Sequence, residues 1–357
     1  MAADLLERAR QEGTPLVEGD RATFVWQGDE PAPSLIGDWT GWQYGEPARL
    51  ERLAPGAWAV TLAFPRDAYL EYAFWQDGER VADPLNRRTV SNGLGHRNHH
   101  FAMPDARPSP LARRRPGVPR GTLSQHVLED EFALAGDKRT VVLYRPPAPG
   151  PYPLLIVLDG QDYRRRGAVP AIVDNLQAEG RIRPLALALV HHGGPARGVE
   201  YACSDAHLGF LLGRVLPLAA GELDLLDVAD HPGAHGILGA SMGGLMALYT
   251  ALRFPGVVGH ALSQSGAFSL FDHDTVVSSL ALYGPVSPLK VWMDVGAFEP
   301  LLEPNRRMHR RLGLRGYRVR YREYSGGHNY TSWRNDMGQG LEWLFPASDR
   351  PPEDRSR

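Results

Sequence analysis

One segment of this 357-residue chain has the residue types and spacing of a nucleophile: Gly239-Ala-Ser241-Met-Gly243, a G-x-S-x-G turn. It follows the apolar run 236–238 and precedes 242–252, where apolar residues recur at helical spacing. Between a strand and a helix, such a turn holds its serine at a strained corner with the hydroxyl aimed out of the sheet. The glycines are required because any larger neighbour collides with the strand or helix beside it. The corner also puts the amide of Met242 at a helix N-terminus, where it can donate to a developing oxyanion. The chemistry this implies is attack of Ser241 on an acyl carbon.

Serine at its ordinary pKa needs a base, and histidine is the usual one. Thirteen histidines compete, so position decides. His328 stands on the loop Ser325-Gly-Gly-His328, after the last predicted strand (318–324) and ahead of a final helix, and is assigned as the base. The pair His191-His192 follows the run 185–190 and is the rival, placed to line the same cleft. His99-His100 falls in the β-rich N-terminal part and is given no chemical role. The imidazole needs an acid on its other nitrogen to fix its tautomer. Two acids compete near the run 291–295: Asp294 within the strand and Glu299 in the loop beyond it. A strand residue points into a sheet face, whereas a loop residue past the strand end reaches the cleft, which favours Glu299. The order Ser241, Glu299, His328 is then that of nucleophile, acid and base in α/β hydrolases. A second oxyanion donor belongs on the loop after an earlier central strand, Leu158-Asp-Gly160-Gln161. The backbone amide of Gln161 is the candidate, with Asp159 and Asp162 read as structural members of that loop.

These residues need a scaffold, and from 121 onward the pattern supplies one. The runs 140–144, 154–158, 185–190, 236–238, 260–262 and 291–295 are short, apolar and bounded by Gly or Pro, and 318–324 reads as the last strand. Continuous apolar strands fit a sheet covered on both faces, and 208–220 and 242–252 have helical spacing. The expected fold is an α/β hydrolase with a doubly wound, mostly parallel sheet over 121–347, and function at the carboxyl ends of its strands. Residues 21–103 instead carry short aromatic and β-branched runs separated by turn signals, which predicts a small β-sandwich. Residues 1–20 read as an N-terminal helical segment. Residues 104–120, with Arg113-Arg-Arg115 among prolines, read as a linker, and 348–357 as a disordered tail.

Composition narrows the partners. Lys and Arg number 39 against 41 Asp and Glu, a net charge of −2 that suggests neither nucleic acid nor an anionic membrane surface. Cys203 is the only cysteine, so no internal disulfide and no cysteine metal cluster can form. No apolar stretch reads as a secretory signal or a transmembrane helix. The default address is the cytoplasm, the expected partner a small-molecule ester, and no cofactor or metal is called for. Oligomeric state is not legible.

The N-terminal run Ile36-Gly-Asp38-Trp-Thr-Gly-Trp42, with Tyr72-Ala-Phe74, Asp77-Gly78 and Asp83-Pro84, resembles the immunoglobulin-like modules of glycogen-binding and enterochelin-esterase proteins. Trp39, Trp42, Trp58 and Trp75 are then either core or domain-interface residues or, as in some relatives, platforms for sugar rings. With Leu158-Asp-Gly-Gln-Asp, Arg197-Gly-Val-Glu200-Tyr201, Leu212-Gly-Arg-Val-Leu216-Pro217, Gly296-Ala-Phe-Glu299 and Gly326-Gly-His328 with Trp333, nearly the whole chain resembles the enterochelin (enterobactin) esterases and the wider esterase-D-like group. The resemblance implies Ser241 as nucleophile, His328 as base and Glu299 as acid. It also places Arg197 near the cleft, with a loop-fixing salt bridge to Glu200 as the alternative. His192 and Trp333 are further candidates to meet substrate. The implied activity is serine esterase, acting on a siderophore of the enterobactin kind, iron-free or ferric. The alternatives are a carbohydrate or feruloyl esterase, an acyltransferase, or a glycan-binding module with a decayed hydrolase.

Overall fold

The computed structural model describes residues 2–28, 30–93, 95–129 and 138–347. The chain forms two compact units. The first contains residues 1–108 together with two short segments, 296–300 and 323–332; the second contains 109–295, 301–322 and 333–357.

The first unit opens with the helix Ala2–Glu12 and continues in strands β1 (Leu16–Glu18), β2 (Arg21–Gln27), β3 (Ser34–Gly37), β4 (Glu51–Ala54), β5 (Ala57–Ala63), β6 (Tyr69–Gln76), β7 (Glu79–Val81), β8 (Thr89–Ser91) and β9 (Arg97–Ala102). The first strand thus begins inside the stretch expected to be a helical segment. One antiparallel sheet runs β1-β2-β5-β4; the other runs β3-β6-β9-β8 with β7 beside β6. Their inner faces share an aromatic core, in which Phe24 of β2 meets Tyr72 of β6 at 5.0 Å and Phe101 of β9 at 5.4 Å, both edge-on. Trp39 packs on Phe24 and Phe64, and Trp58 is buried, so these two tryptophans take the core role. Trp42 differs: its indole N–H donates to Asp38 and Arg80 covers its ring at 4.4 Å.

The second unit holds β10 (Thr122–Glu129), β11 (Lys138–Arg145), β12 (Leu154–Val157), β13 (Ala186–Val190), β14 (His235–Ala240), β15 (Val258–Gln264), the small hairpin β16 (Ser269–Leu270) and β17 (His273–Asp274), β18 (Lys290–Gly296) and β19 (Arg318–Tyr324). Its main sheet is ordered β10-β11-β13-β12-β14-β15-β18-β19. The pairs β10–β11 and β11–β13 are antiparallel, and from β13 to β18 the strands are parallel, so the sheet is mixed. Every residue of β12, β13 and β14 is buried, as expected for strands covered on both faces. Strand β10 has no counterpart in the predicted runs because it is mostly exposed and carries no apolar signature. The helix expected over 208–220 is interrupted: Asp205–Phe210 and Leu216–Glu222 flank a π-turn, Leu211–Val215. Pro217 has no amide to give the carbonyl of Gly213, which is why regular i→i−4 bonding fails there.

The segment expected as a linker is tied down in its second half. Leu111 is buried, and the side-chain amide of the buried Asn175 donates to the carbonyls of Leu111 (2.7 Å) and Arg113 (2.9 Å). Arg115 returns the bond to Asn175 and pairs with Glu179 at 2.6 Å. The tail 348–357 lies outside the described residues. Among the described residues no helix is long and apolar enough to cross a membrane.

In the second unit the buried His207 and His235 and the half-buried His260 stay uncharged. Burial holds His207 down to about 3 and His235 and His260 down to about 4, from an ordinary 6.5. Each stays neutral when folded but takes up a proton near 6.5 once unfolded. Stability is therefore full above pH 6.5 and falls as pH drops from there through about 4. His207 lies between Tyr201 and Phe210, so His207→Phe should flatten that acid slope, checked by urea unfolding between pH 4.5 and 7.

Candidate active site

The second unit builds the strand-to-helix corner that carries Ser241. Ser241 follows β14 with φ 58° and ψ −122°, a conformation an L-residue adopts only under constraint. Three backbone bonds impose it: its amide donates to Gln264 (2.9 Å), and its carbonyl accepts from Leu245 and Ala267 (both 3.0 Å). A methyl group on Gly239 would lie 2.3 Å from the carbonyl oxygen of Gly243, which is the collision the sequence motif avoids. Met242 is the first residue of the helix Met242–Arg253, so its amide has no acceptor within that helix.

The loop after β12 is built with equal tightness. Asp159 takes φ 53°, and a methyl group on Gly160 would lie 2.4 Å from the carbonyl carbon of Leu189. Gln161 sits in the first turn of the helix Gly160–Arg165, and its side-chain carbonyl accepts from the amide of His192 at 3.1 Å. His192 Nδ1 accepts from Gly194 at 2.9 Å, which puts the ring proton on Nε2, 3.6 Å from Asp162. Burial raises the Asp162 carboxyl, but the bond from His192 and the charge of Arg166 outweigh it and hold the group below its ordinary range.

Arg197 grips Asp159 with two parallel bonds of 2.7 Å and lies over the Tyr201 ring at 5.0 Å. The expected alternative partner, Glu200, is instead the buried counterion of Arg139. The salt bridge that fixes this loop is therefore Arg197–Asp159. Trp333 is only 4% exposed, its indole N–H donates to Ser265 at 2.9 Å, and it offers little ring surface to a ligand. Asp294 is fully buried and occupied by Trp292 Nε1 (2.8 Å) and Gln264 Nε2 (3.1 and 3.2 Å).

The acid–histidine pair belongs to the first unit. Glu299 Oε1 accepts from the amide of Gly296 at 2.6 Å, and Oε2 meets His328 Nδ1 at 2.5 Å. A carboxylate only accepts, so Nδ1 carries the proton and Nε2 is the ring's acceptor, the tautomer a general base needs. The Glu299 side chain is 1% exposed and that of His328 33%, so the pair runs from a buried acid to an open imidazole. The loops are laced together: Ala297 donates to Tyr324 (2.8 Å), Phe298 to Gly326 (3.1 Å) and Tyr69 of β6 to Ser325 (3.1 Å). Asp38, just before Trp39 in the first unit, also packs on this loop.

A family model described as putative esterase matches residues 133–344. The chain is similar to the iron(III) enterobactin esterase of Dickeya dadantii, 29% identical over 97% of this chain and 93% of that one. Among solved structures it is similar to the ferric enterobactin esterase of Salmonella typhimurium, with a TM-score of 0.76, 25% identity, and 91% and 93% of the two chains covered. It also has the fold of a ferulic acid esterase from Anaeromyces mucronatus, with a TM-score of 0.55, 16% identity, and 67% and 96% covered.

Asp159 is 1% exposed, and Arg197 is its bidentate partner. Arg197→Met leaves that carboxylate uncompensated and should cost about 3 kcal/mol. The check is a thermal melt, in which Arg197→Lys recovers only part of the loss because an ammonium cannot bond both oxygens in the same plane.

Proposed function

The chain belongs to the putative esterase family, and we propose that Ser241, His328 and Glu299 are the nucleophile, base and acid of its carboxylic-ester hydrolysis. The observation that carries this reading is the pairing of a buried Glu299 with an open His328, in a chain whose one G-x-S-x-G serine is held at a strained strand-to-helix corner. In the proposed reaction the Ser241 hydroxyl oxygen attacks the ester carbonyl carbon as its proton passes to His328 Nε2. Glu299 stabilises the imidazolium, and the amides of Met242 and Gln161 bind the oxyanion. Collapse breaks the bond to the alcohol, which leaves with the proton from His328. Water then gives a proton to His328 as its oxygen attacks the acyl-serine, and collapse breaks the bond to Ser241, which takes that proton back from His328 as the acid is released.

For substrate, we propose a siderophore ester of the enterobactin kind, with any iron arriving as cargo of the ligand. The similarity to an iron(III) enterobactin esterase across nearly the full length of both chains supports this. The likeness to a ferulic acid esterase is weaker and spans two-thirds of the chain, so it supports the fold more than the substrate. Two further parts of the proposal are an immunoglobulin-like sandwich for the N-terminal sheets and a cytoplasmic site of action, where an imported siderophore would be opened.

The test is hydrolysis of p-nitrophenyl butyrate, iron-free and iron-loaded enterobactin, and a feruloyl sugar ester, with Ser241→Ala alongside. Ser241→Ala should lower kcat by at least ~10³-fold with an unchanged circular dichroism spectrum, and enterobactin should be the fastest substrate. An active Ser241→Ala protein would overturn the nucleophile. Intact enterobactin beside rapid turnover of the feruloyl ester would overturn the siderophore.

A further inference from the structure

We propose that Asp38 is a positioning residue for His328: its carboxyl group is the surface on which the histidine loop rests, so the N-terminal strands hold the proposed base in line with its acid. The inference rests on the reading of Ser241 and His328 as nucleophile and base.

Asp38 follows β3 in a tight turn, is 4% exposed, and belongs to the same unit as the loop 323–332. One oxygen accepts from the amide of Glu71 in β6 at 2.8 Å, and the other from Trp42 Nε1 at 3.2 Å. The third contact is the loop itself. A methyl group on Gly327 would lie 2.0 Å from Asp38 Cγ and 2.2 and 2.3 Å from its two oxygens, so the backbone of Gly327 lies directly on the carboxyl group. Gly327 is the residue before His328. Strand β6 therefore holds the loop twice, through the Tyr69 amide on Ser325 and through Glu71 and Asp38 on Gly327. The loop 296–300 holds it from the other side through Phe298 and Glu299, and the Phe298 ring packs against Phe64 of the first unit.

The charge pattern argues against a space-filling role. Burial, with the Glu71 and Glu299 carboxylates close by, pushes the Asp38 carboxyl well above the usual carboxylate range. Glu71 accepts from Asn98 at 2.8 Å, Asn98 from Arg80 at 2.5 Å, and Arg80 lies over Trp42. Three buried acids at one loop are costly where an apolar residue would fill the same space. The return is directional: a carboxyl group wedged between the Glu71 amide, the Trp42 indole and Gly327 has a single orientation, which a methyl or isopropyl group would not enforce.

The experiment uses the full-length protein. Asp38→Ala, Gly327→Ala and Ser241→Ala are compared by turnover of p-nitrophenyl butyrate, by thermal melting, and by the downfield proton resonance of His328 Nδ1 in its short bond to Glu299. Asp38→Ala and Gly327→Ala should each lower kcat about 10–100-fold, the scale of a misplaced catalytic group, with KM within about threefold. The resonance should weaken or move while the melting temperature still reports a folded protein. Combining Asp38→Ala with Gly327→Ala should cost little more than either alone, because both act through the same contact. Wild-type kcat and an unmoved resonance in Asp38→Ala would overturn the proposal, as would loss of activity only in step with loss of folded protein. Failure of the underlying reading would show separately, as activity retained in Ser241→Ala.

Discussion

A serine with φ 58° and ψ −122° costs roughly 1–3 kcal/mol and persists only where its surroundings over-determine it. Here three backbone hydrogen bonds fix it, one of them to the last residue of β15 and one to the chain just after that strand. The glycines around it are part of the same constraint. A side chain at Gly244 would strike Ser263 Oγ at 2.7 Å, and one at Gly239 would strike Gly243. The corner thus requires parallel β14 and β15 in register, with the helix Met242–Arg253 packed close against them. Much of the mixed sheet can be understood as what keeps this one residue strained.

Buried charge is handled in two ways. Asp159 receives the two-pronged guanidinium of Arg197, and Glu200 receives Arg139, so each acid is neutralised by a cation with matching geometry. Asp294 is satisfied by neutral donors from Gln264 and Trp292, which fixes it in the wall of the unit. Glu299 has the backbone amide of Gly296 on one oxygen and a histidine on the other. Of these acids it is the one bonded to a histidine ring, which suits a proton-transfer role. Asp38 stands apart, with acids rather than cations close to it.

The chemistry-bearing turns were legible in the sequence because backbone geometry dictates their residue types. Gly239 and Ser241 stand where a close approach and a positive φ require them, whereas a methyl group on Gly243 would meet nothing nearer than 3.4 Å; past its strand end Glu299 bonds His328, while Asp294 within the strand is held by Trp292 and Gln264. Strands β11 to β15 were legible because full burial leaves continuous apolar runs. Strand β10 was not, since an exposed edge leaves no such record. Nor was the role of Asp38, whose partners Glu71 and Gly327 lie 33 and 289 positions away along the chain. Trp333 and Arg115 misled for a related reason. The sequence displays an aromatic ring or a basic run, but not that Ser265 or Asn175 already occupies it.

The membership of the two short segments 296–300 and 323–332 has a bearing on how such a protein can be taken apart. The composition changes near residue 108, and a gene cut there would look like a clean separation of modules. The folding units do not respect that boundary, because the loops carrying Glu299 and His328 are encoded far downstream yet pack with the N-terminal strands. Modularity at the level of the gene is therefore not modularity at the level of the fold. Shuffling residues 1–108 between relatives would exchange the support under Glu299 and His328 while leaving both residues unchanged in the sequence.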